Sequence, residues 1–325
     1  QEVLGRLGLE PRMESFTGAR SVFHQPLLGS IAMLVAFAIY PLAGRVSAGL
    51  AVLLSLVAVA SIAMELTFRR NPLRWLVPKA PSQNVVATIP PAGEHHQDLV
   101  LVGHVDTQRT PIIFKTPRWV AAYQITTTVA FSLWVVQVVL YLVGTVTQWS
   151  WIWPITALSA LGALYEAVLS LHAERTPFSP GANDSASGAG LVLALAEHLQ
   201  AEPLARTRLW LACTGCEESQ HYGAADFFRR HLAELQNPIA VVVEFLGCAG
   251  PAWLTKEGIV IPFHADRDLI ALARGLSVRH PEWGAYPAQI NGGNTEMADA
   301  LRAGIPAITL VGMGPQGGGV RAPNS

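Results

Sequence analysis

Four long apolar stretches constrain the fold of this 325-residue chain more than any other feature of its sequence. The first (27–43) and the third (119–146) contain no charged residue. The second (46–68) and the fourth (151–171) contain one glutamate each, Glu65 and Glu166. A helix needs roughly 20 apolar residues to cross the hydrocarbon core of a bilayer. We therefore predict four transmembrane helices, at Leu27–Ala43, Val46–Phe68, Trp119–Val146 and Trp151–Leu171.

Short links join these stretches in pairs, Gly44-Arg45 in the first pair and Thr147–Ser150 in the second. The sequence thus predicts two transmembrane hairpins, 27–68 and 119–171, in a multi-pass integral membrane protein. Four such stretches exceed what the core of one soluble domain needs, which disfavours buried core helices as the alternative. Glu65 and Glu166 lie near the ends of the returning helices, where each either reaches the headgroup region or lines a cleft.

Basic residues predict the orientation of the hairpins. The link inside the first hairpin carries Arg45 alone, whereas the segments after the first hairpin and before the second are basic and contain no acid. Their lysines and arginines are Arg69, Arg70, Arg74, Lys79, Arg109, Lys115 and Arg118. By the positive-inside rule the polar regions face the cytoplasm. An odd number of cysteines, three, agrees with a reducing compartment.

The remaining segments, 1–26, 69–118 and 172–325, are predicted to form one discontinuous α/β domain. Short apolar, β-rich runs alternate with helical patterns such as Ser187–Gln200, which indicates a mixed, largely parallel sheet covered by helices. The runs are Asp98–Val102, Arg208–Cys213, Ile239–Phe245 and Ala307–Val311. The net charge of −1 gives no indication of a nucleic-acid partner.

Four short motifs with acidic or histidine side chains stand where these strands end or a helix begins. They are Gly103–Thr107, Gly181–Gly188, Thr214–Glu218 and Val243–Gly247. Only 14% of the residues are charged, so four such motifs at four element ends are hard to attribute to chance. Carboxylates together with imidazole suit zinc, manganese or cobalt better than calcium.

The motifs supply one imidazole and several carboxylates, of which Glu244 ends the apolar strand of the fourth motif. His104 ends a strand and suits a metal ligand, with Asp106 two residues later to orient its ring. The small residues around Asp184 form a tight turn that presents this carboxylate. Glu217 and Glu218 are adjacent, so one of them can bind a metal ion while the other acts as a base.

In their order and composition the motifs resemble those of the co-catalytic zinc aminopeptidases (peptidase family twenty-eight, clan MH). That family includes bacterial leucyl aminopeptidases, plasma glutamate carboxypeptidase and the catalytically inactive transferrin receptor. The resemblance implies a zinc-exopeptidase-like fold for the parts outside the hairpins, and two zinc ions. It assigns His104 and Glu244 to the first zinc, Glu218 to the second, and Asp184 to both as a bridge.

The same resemblance implies that Glu217 is the general base and that Asp106 orients His104. It also implies a final histidine ligand after a glycine-rich loop near the carboxyl end, and here no histidine follows His280. We expect Gly312–Ser325 to approach that loop in a chain cut short at both ends. The Gly292–Glu296 segment carries Thr-Glu where the family has Ser-Asp more often.

These expectations combine into a membrane-anchored di-zinc metallopeptidase, most simply an aminopeptidase acting on peptides. Two alternatives stay open at this point. One is a non-catalytic membrane scaffold on the same fold, and the other is a di-zinc carboxypeptidase or deacylase. His221 follows the glutamate pair closely and either reaches the cleft or has a purely structural role. Sequence leaves the oligomeric state unknown.

Overall fold

A computed structural model of the chain describes residues 1–67, 69 and 71–313. Phe68 at the end of the second apolar stretch, Arg70 of the basic segment and the carboxyl-terminal segment 314–325 lie outside the described residues. The chain divides into two units. Among the residues that the structure describes, the α/β unit consists of 1–18, 79–108 and 179–313, and the helical unit lies within 19–78 and 109–178.

Over the described residues, a nine-stranded sheet forms the centre of the α/β unit. The strands run in the order β1-β2-β4-β3-β5-β9-β6-β7, and β8 pairs with β6. Their bounds are β1 (Arg12–Ala19), β2 (Lys79–Ile89), β3 (Gln97–His104), β4 (Thr207–Thr214), β5 (Ile239–Glu244), β6 (Pro251–Glu257), β7 (Phe263–His264), β8 (Tyr286–Gln289) and β9 (Ala307–Gly312).

The helices belong partly to each unit. In chain order they are α1 (Glu2–Arg6), α2 (His24–Ile39), α3 (Gly44–Glu65), α4 (Leu73–Leu76), α5 (Pro117–Thr147), α6 (Ile152–Ile155), α7 (Ala157–Ala173), α8 (Gly188–Ala201), α9 (Tyr222–His231), α10 (Arg267–Arg279) and α11 (Met297–Arg302). Helices α2 to α7 form the helical unit, and the others belong to the α/β unit.

The prediction of a mixed α/β fold is confirmed. The four central strands, β4, β3, β5 and β9, are parallel, whereas β2 and β6 join this centre in antiparallel fashion. Alternate side chains of the central strands enter two cores. Val100 and Trp210 face the core shared with Phe227 of α9, while Leu101 and Leu211 face the core shared with Val192 of α8.

This topology brings three polar strand ends to one edge of the sheet. In the register of the parallel pair β3 and β4, His104 lies opposite Thr214, and the neighbouring strand β5 ends at Glu244. Ligand sites in open α/β sheets lie outside the carboxyl ends of parallel strands. The edge formed by these strand ends is therefore where a functional site is expected.

Within the helical unit, α2 packs against α3 and α7, and α5 also packs against α3 and α7. Helix α5 contains the third apolar stretch. At its amino-terminal end the Thr116 side chain accepts the backbone N–H of Trp119, and Pro117 is the first residue of the helix. Among the described residues, three helical segments are long and apolar enough to cross a membrane: α3 (Gly44–Glu65), α5 (Pro117–Thr147) and the run Ile152–Ala173, which comprises α6 and α7. Helix α2 is apolar but shorter.

The interior of the helical unit is rich in small and polar side chains, with a few large ones such as Met33, Trp134 and Tyr141, and its surface carries many large apolar side chains. Alanines and serines are buried between the helices, together with Gln137, whose side chain is fully buried beside Ser55. The buried small residues include Ala36, Ala48, Ala51, Ala58, Ala163, Ser30, Ser55, Ser61 and Ser159. The exposed large residues include Leu50, Leu53, Leu56, Val136, Val139, Leu142, Leu158, Leu161, Leu164 and Val168.

Both glutamates of the apolar stretches are buried inside the helical unit. Glu65 accepts hydrogen bonds from Arg74 Nε at 2.7 Å and from Asn71 Nδ2 at 2.6 Å. Glu166 accepts the Thr127 hydroxyl at 2.8 Å. Each carboxylate therefore has a hydrogen-bond partner within the helical unit. The expectations that these acids reach the headgroup region or line a cleft did not include such a partner.

Candidate metal centre

His104, Glu217 and Glu244 form a buried cluster at the carboxyl edge of the sheet. One side-chain donor atom from each lies within 4.8 Å of the others. His104 is 1% exposed and its Nε2 lies 3.9 Å from Glu217 Oε2. A hydrogen bond of 3.1 Å joins the same Nε2 to Asp184 Oδ1. The structure thus brings together four of the residues that the motifs single out.

Asp184 belongs to the turn 182–187, which is held against the end of β5. Gly188 follows the turn, and a Cβ there would collide with the carbonyl oxygen of Val243. Asn183 accepts the backbone N–H of Gly247, and Ser187 accepts that of Leu246. The small residues of this motif therefore permit the turn to approach the end of β5 closely, which places Asp184 next to His104. The Asp184 side chain is 38% exposed.

Asp106 has more contacts than the expected one with His104. Its Oδ1 lies 3.5 Å from His104 Nδ1, and its backbone oxygen lies 3.2 Å from the same nitrogen. Its two carboxylate oxygens accept the backbone N–H groups of Glu217 and Glu218. Burial favours the neutral acid, but His104 and these two amides outweigh it and lower the pKa of Asp106.

Glu218 lies beside the cluster and is not one of its three members. Its carboxylate accepts Gln108 Nε2 at 3.2 Å, and the same nitrogen donates to the backbone oxygen of Glu218 at 3.3 Å. Burial, followed by repulsion from Glu217 and Asp184, raises the pKa of Glu218 well above its usual value. A nearby cation would relieve this repulsion.

The donor set fits a zinc ion. Burial and the charge of Glu217 raise the pKa of Glu244 well above its usual value, and Glu244 Oε1 has no hydrogen-bond partner among the described residues. An orphaned, buried carboxylate oxygen beside an imidazole is costly without a cation. Imidazole and carboxylate donors are the types that zinc takes in catalytic sites.

Two further polar residues border the cluster. Glu296 is fully buried and accepts the Thr214 hydroxyl at 2.8 Å, and burial raises its pKa to about 8. His221 lies between two carboxylates, with Nε2 3.1 Å from Glu217 Oε1 and Nδ1 2.7 Å from Asp299 Oδ2. His221 therefore reaches the site. The short distance in sequence between His221 and the glutamate pair had suggested that His221 could reach the cleft, whereas no feature of the sequence indicated Asp299.

A comparison of sequences matches slightly less than half of this chain to the model of a peptidase family. The model of Peptidase family M28 matches residues 165–316, which include Asp184, Glu217, Glu218 and Glu244. The resemblance drawn from the motifs is therefore confirmed, and zinc is the metal that this family implies. No curated protein matches the chain by sequence.

Solved structures with a similar arrangement are distant from the chain. A zinc aminopeptidase from Bacillus subtilis is 12% identical, with 99% of this chain and 80% of that chain covered and a TM-score of 0.49. A glutaminyl cyclase from Fimbriiglobus ruber is 14% identical, with 96% and 73% covered and a TM-score of 0.48. An aminopeptidase from Aneurinibacillus sp. strain AM-1 is 15% identical, with a TM-score of 0.43, and the match covers 76% of this chain but only 43% of that one.

Proposed function

We propose that the α/β unit is the catalytic domain of a di-zinc aminopeptidase and that the helical unit anchors it in a membrane. The observation that carries the proposal is the buried cluster of His104, Glu217 and Glu244, with Asp184 in hydrogen-bond contact, at the carboxyl edge of parallel strands. The family match adds the reaction class, since its members are peptidases.

The predicted ligand roles are compatible with the positions of these side chains. His104 and Glu244 would hold one zinc, Glu218 would contribute to a second, and Asp184 would bridge the two. Zinc in such a centre polarises a scissile carbonyl group and acidifies a water molecule. The second set needs another ligand, and no histidine follows His280 in the sequence.

Glu217 has the environment that a general base needs. Asp106 fixes its backbone amide, and His221 contacts one of its carboxylate oxygens. The other oxygen, Oε2, lies on the side of His104. In the proposed reaction Glu217 removes a proton from the attacking water and then delivers it to the amine nitrogen that leaves. A carboxylate does both because its protonated form is a good acid.

The choice of an aminopeptidase over a carboxypeptidase rests on the order and composition of the four motifs, which resemble those of the co-catalytic zinc aminopeptidases.

The membrane anchor is supported by the distribution of side chains in the helical unit. In water, large apolar residues would fill the interior, but here a few of them, such as Trp134 and Tyr141, share it with many alanines and serines, while most leucines and valines lie outside. Helices in bilayers pack through small residues, because lipid already solvates the large apolar ones. We propose that hairpins 27–68 and 119–171 span the bilayer and that the polar segments face the cytoplasm.

The decisive experiment uses the full protein purified in detergent. Zinc content is measured together with hydrolysis of three matched peptides: one free at both ends, one N-acetylated and one C-amidated. We expect between one and two zinc ions per chain, because the second set of ligands lacks a member, and cleavage of the free and amidated peptides but not of the acetylated one. Cleavage lost on amidation instead would indicate a carboxypeptidase, and a protein that binds zinc but cleaves no peptide would support the scaffold alternative.

A further inference from the structure

His221 occupies a constrained position between the proposed base and helix α9. Its backbone N–H donates to the carbonyl oxygen of Glu217 at 2.9 Å, and its own carbonyl accepts Ala225 N–H. It has a φ of +55°, in the left-handed region that is unfavourable for a residue with a side chain. Its ring is 4% exposed. The chain therefore directs this ring inward one turn after Glu217.

Both ring nitrogens of His221 face carboxylates. Nδ1 lies 2.7 Å from Asp299 Oδ2, on helix α11, and Nε2 lies 3.1 Å from Glu217 Oε1. A carboxylate only accepts hydrogen bonds, so the ring donates to each of these partners. Asp299 fixes the ring, and the ring in turn fixes one oxygen of Glu217.

We propose that Asp299 and His221 hold the Glu217 carboxylate back from the metal, so that it serves as the base and not as a third ligand. The inference rests on the proposed function, since it assumes that the cluster binds a metal ion. Glu217 has an oxygen within 4.8 Å of donor atoms on His104 and Glu244. A carboxylate that close to a cation is drawn into coordination unless another contact restrains it.

His221 is thus a positioning residue that acts through Glu217, and Asp299 acts through His221. Their loss leaves the ligands His104, Asp184 and Glu244 unchanged. It frees Glu217 Oε1, so that the carboxylate can rotate toward the metal and lose its function as a base. The expected consequence is a change in coordination together with a fall in turnover, without loss of metal.

The chain offers a matched control in His231, at the other end of α9. Its ring is also 4% exposed and also lies between two carboxylates, with Nε2 2.9 Å from Glu14 and Nδ1 3.0 Å from Glu234. These partners are not among the proposed ligands. A His231→Leu variant therefore reproduces the loss of a buried, doubly bonded histidine from the same helix without touching the base.

The first measurement is steady-state kinetics of the zinc-loaded full protein. His221→Leu is expected to lower kcat about 100-fold with KM within a few-fold of wild type, while His231→Leu keeps kcat within about threefold. His221→Gln retains an N–H donor near the position of Nε2, so we expect it to recover most of the lost turnover. Asp299→Asn, which keeps the size of the side chain, is expected to lower kcat in the same direction by a smaller factor.

The second measurement does not depend on activity. With cobalt(II) in place of zinc, the intensity of the visible d–d bands falls as the coordination number rises. We expect weaker bands for His221→Leu than for wild type at equal cobalt content, and an unchanged spectrum for His231→Leu. This readout separates the proposed peptidase function from the proposed positioning of Glu217. If the wild-type protein binds cobalt but hydrolyses no peptide, the peptidase function is wrong, but the spectral prediction can still be tested.

The possible outcomes decide the inference. A cobalt spectrum that changes in His221→Leu and returns to the wild-type form in His221→Gln supports it. If His221→Leu and His231→Leu have the same spectrum and the same kcat, the histidine only joins α9 to α11 and the inference is wrong. If His221→Leu does not fold, the cobalt spectrum and kcat of Asp299→Asn are compared with those of His221→Gln, which is expected to resemble the wild type. A wild-type protein that binds neither metal ion overturns both proposals.

Discussion

The carboxylate of Asp106 accepts the backbone N–H of Glu217 at 3.0 Å. Its second oxygen accepts the N–H of Glu218 at 3.1 Å, and the residue also lies against His104. One carboxylate therefore fixes three of the residues on which the proposed chemistry depends. This role is wider than that of orienting the histidine ring, which is all that the spacing of the two residues suggested.

Asp106→Asn tests the wider role. The amide group keeps one acceptor but places an N–H₂ against the other backbone N–H, so one of the two glutamates loses its anchor. We expect kcat/KM to fall about 10–100-fold, the range typical of residues that orient metal ligands, with zinc content reduced by less than half. Asp226→Asn, which removes an acceptor of Arg229 and Arg230 on α9, serves as the control and is expected to retain activity. Wild-type kinetics for Asp106→Asn would rule out the anchoring role.

Glu217→Gln tests the base. The amide is close in size to the carboxylate but cannot take up a proton at neutral pH. We expect the zinc content to stay that of the wild type while kcat falls at least 100-fold, within the range that general base catalysis contributes. Peptide hydrolysis and metal analysis are measured on the same preparation. Activity within tenfold of wild type would remove Glu217 from the role of base.

His104→Ala and Asp184→Asn test the ligands. Each variant removes or neutralises a donor of the cluster, so both should bind less zinc than wild type at equal free zinc concentration. His96→Ala provides the control, because His96 is a half-exposed histidine on the turn before β3 and pairs with the exposed Glu94. Zinc content that is unchanged in both ligand variants would contradict the assignment of the metal centre.

Much of the α/β unit follows from local sequence patterns. Apolar, β-branched runs are continuous in the central strands because both faces of a parallel strand are covered, and this pattern marks β4, β5 and β9 clearly. Polar residues directly after such runs therefore indicate the functional edge of the sheet. The local pattern does not predict strand β6 or helix α10, because both mix apolar with charged residues and no residue of α10 is buried.

The parts that sequence did not reveal depend on contacts between distant residues. Glu217 and Glu218 are neighbours, and only the fold shows that the first joins His104 and Glu244 while the second turns toward Gln108. Asp299 meets His221 because α11 packs beside α9. Glu65 is likewise paired with Arg74 beyond the end of its helix. No periodic pattern encodes such pairings.

Asp98 is predicted to be a main source of stability in the α/β unit. Its fully buried carboxylate accepts Arg208 Nε at 2.6 Å, Trp210 Nε1 at 3.0 Å and the backbone N–H of Gln236 at 2.6 Å. Asp98→Asn leaves Arg208 without its counter-charge, so we expect the free energy of unfolding to fall by about 3 kcal/mol. Glu94→Gln, at an exposed acid nearby, should have no measurable effect.

The effect of Asp98 should depend on pH in a defined direction. Burial opposes ionisation, but the bonds from Arg208, Gln236 and Trp210 outweigh it and lower the pKa of Asp98 below that of the unfolded chain. Its contribution is therefore fully present above the unfolded pKa of about 3.9 and is lost as the pH falls through the folded value. Denaturant unfolding should show a constant gap between wild type and Asp98→Asn from pH 7 to about 5, which narrows below about pH 4. A gap that widens in acid would contradict the assignment.

The orientation in the membrane can be tested with cysteines. Native Cys248 is exposed on the α/β unit, Cys213 is buried, and Arg45 is exposed in the first turn of α3. We expect a membrane-impermeant maleimide to label an Arg45→Cys, Cys248→Ser variant in intact cells, and to reach Cys248 of the wild type only after permeabilisation. The reason is that the basic segments beside the hairpins stay on the cytoplasmic side, and Arg45 is the one basic residue at the opposite end of the first hairpin. The reverse pattern of labelling would invert the topology, and labelling of both positions in intact cells would show that the helices do not separate them across a bilayer.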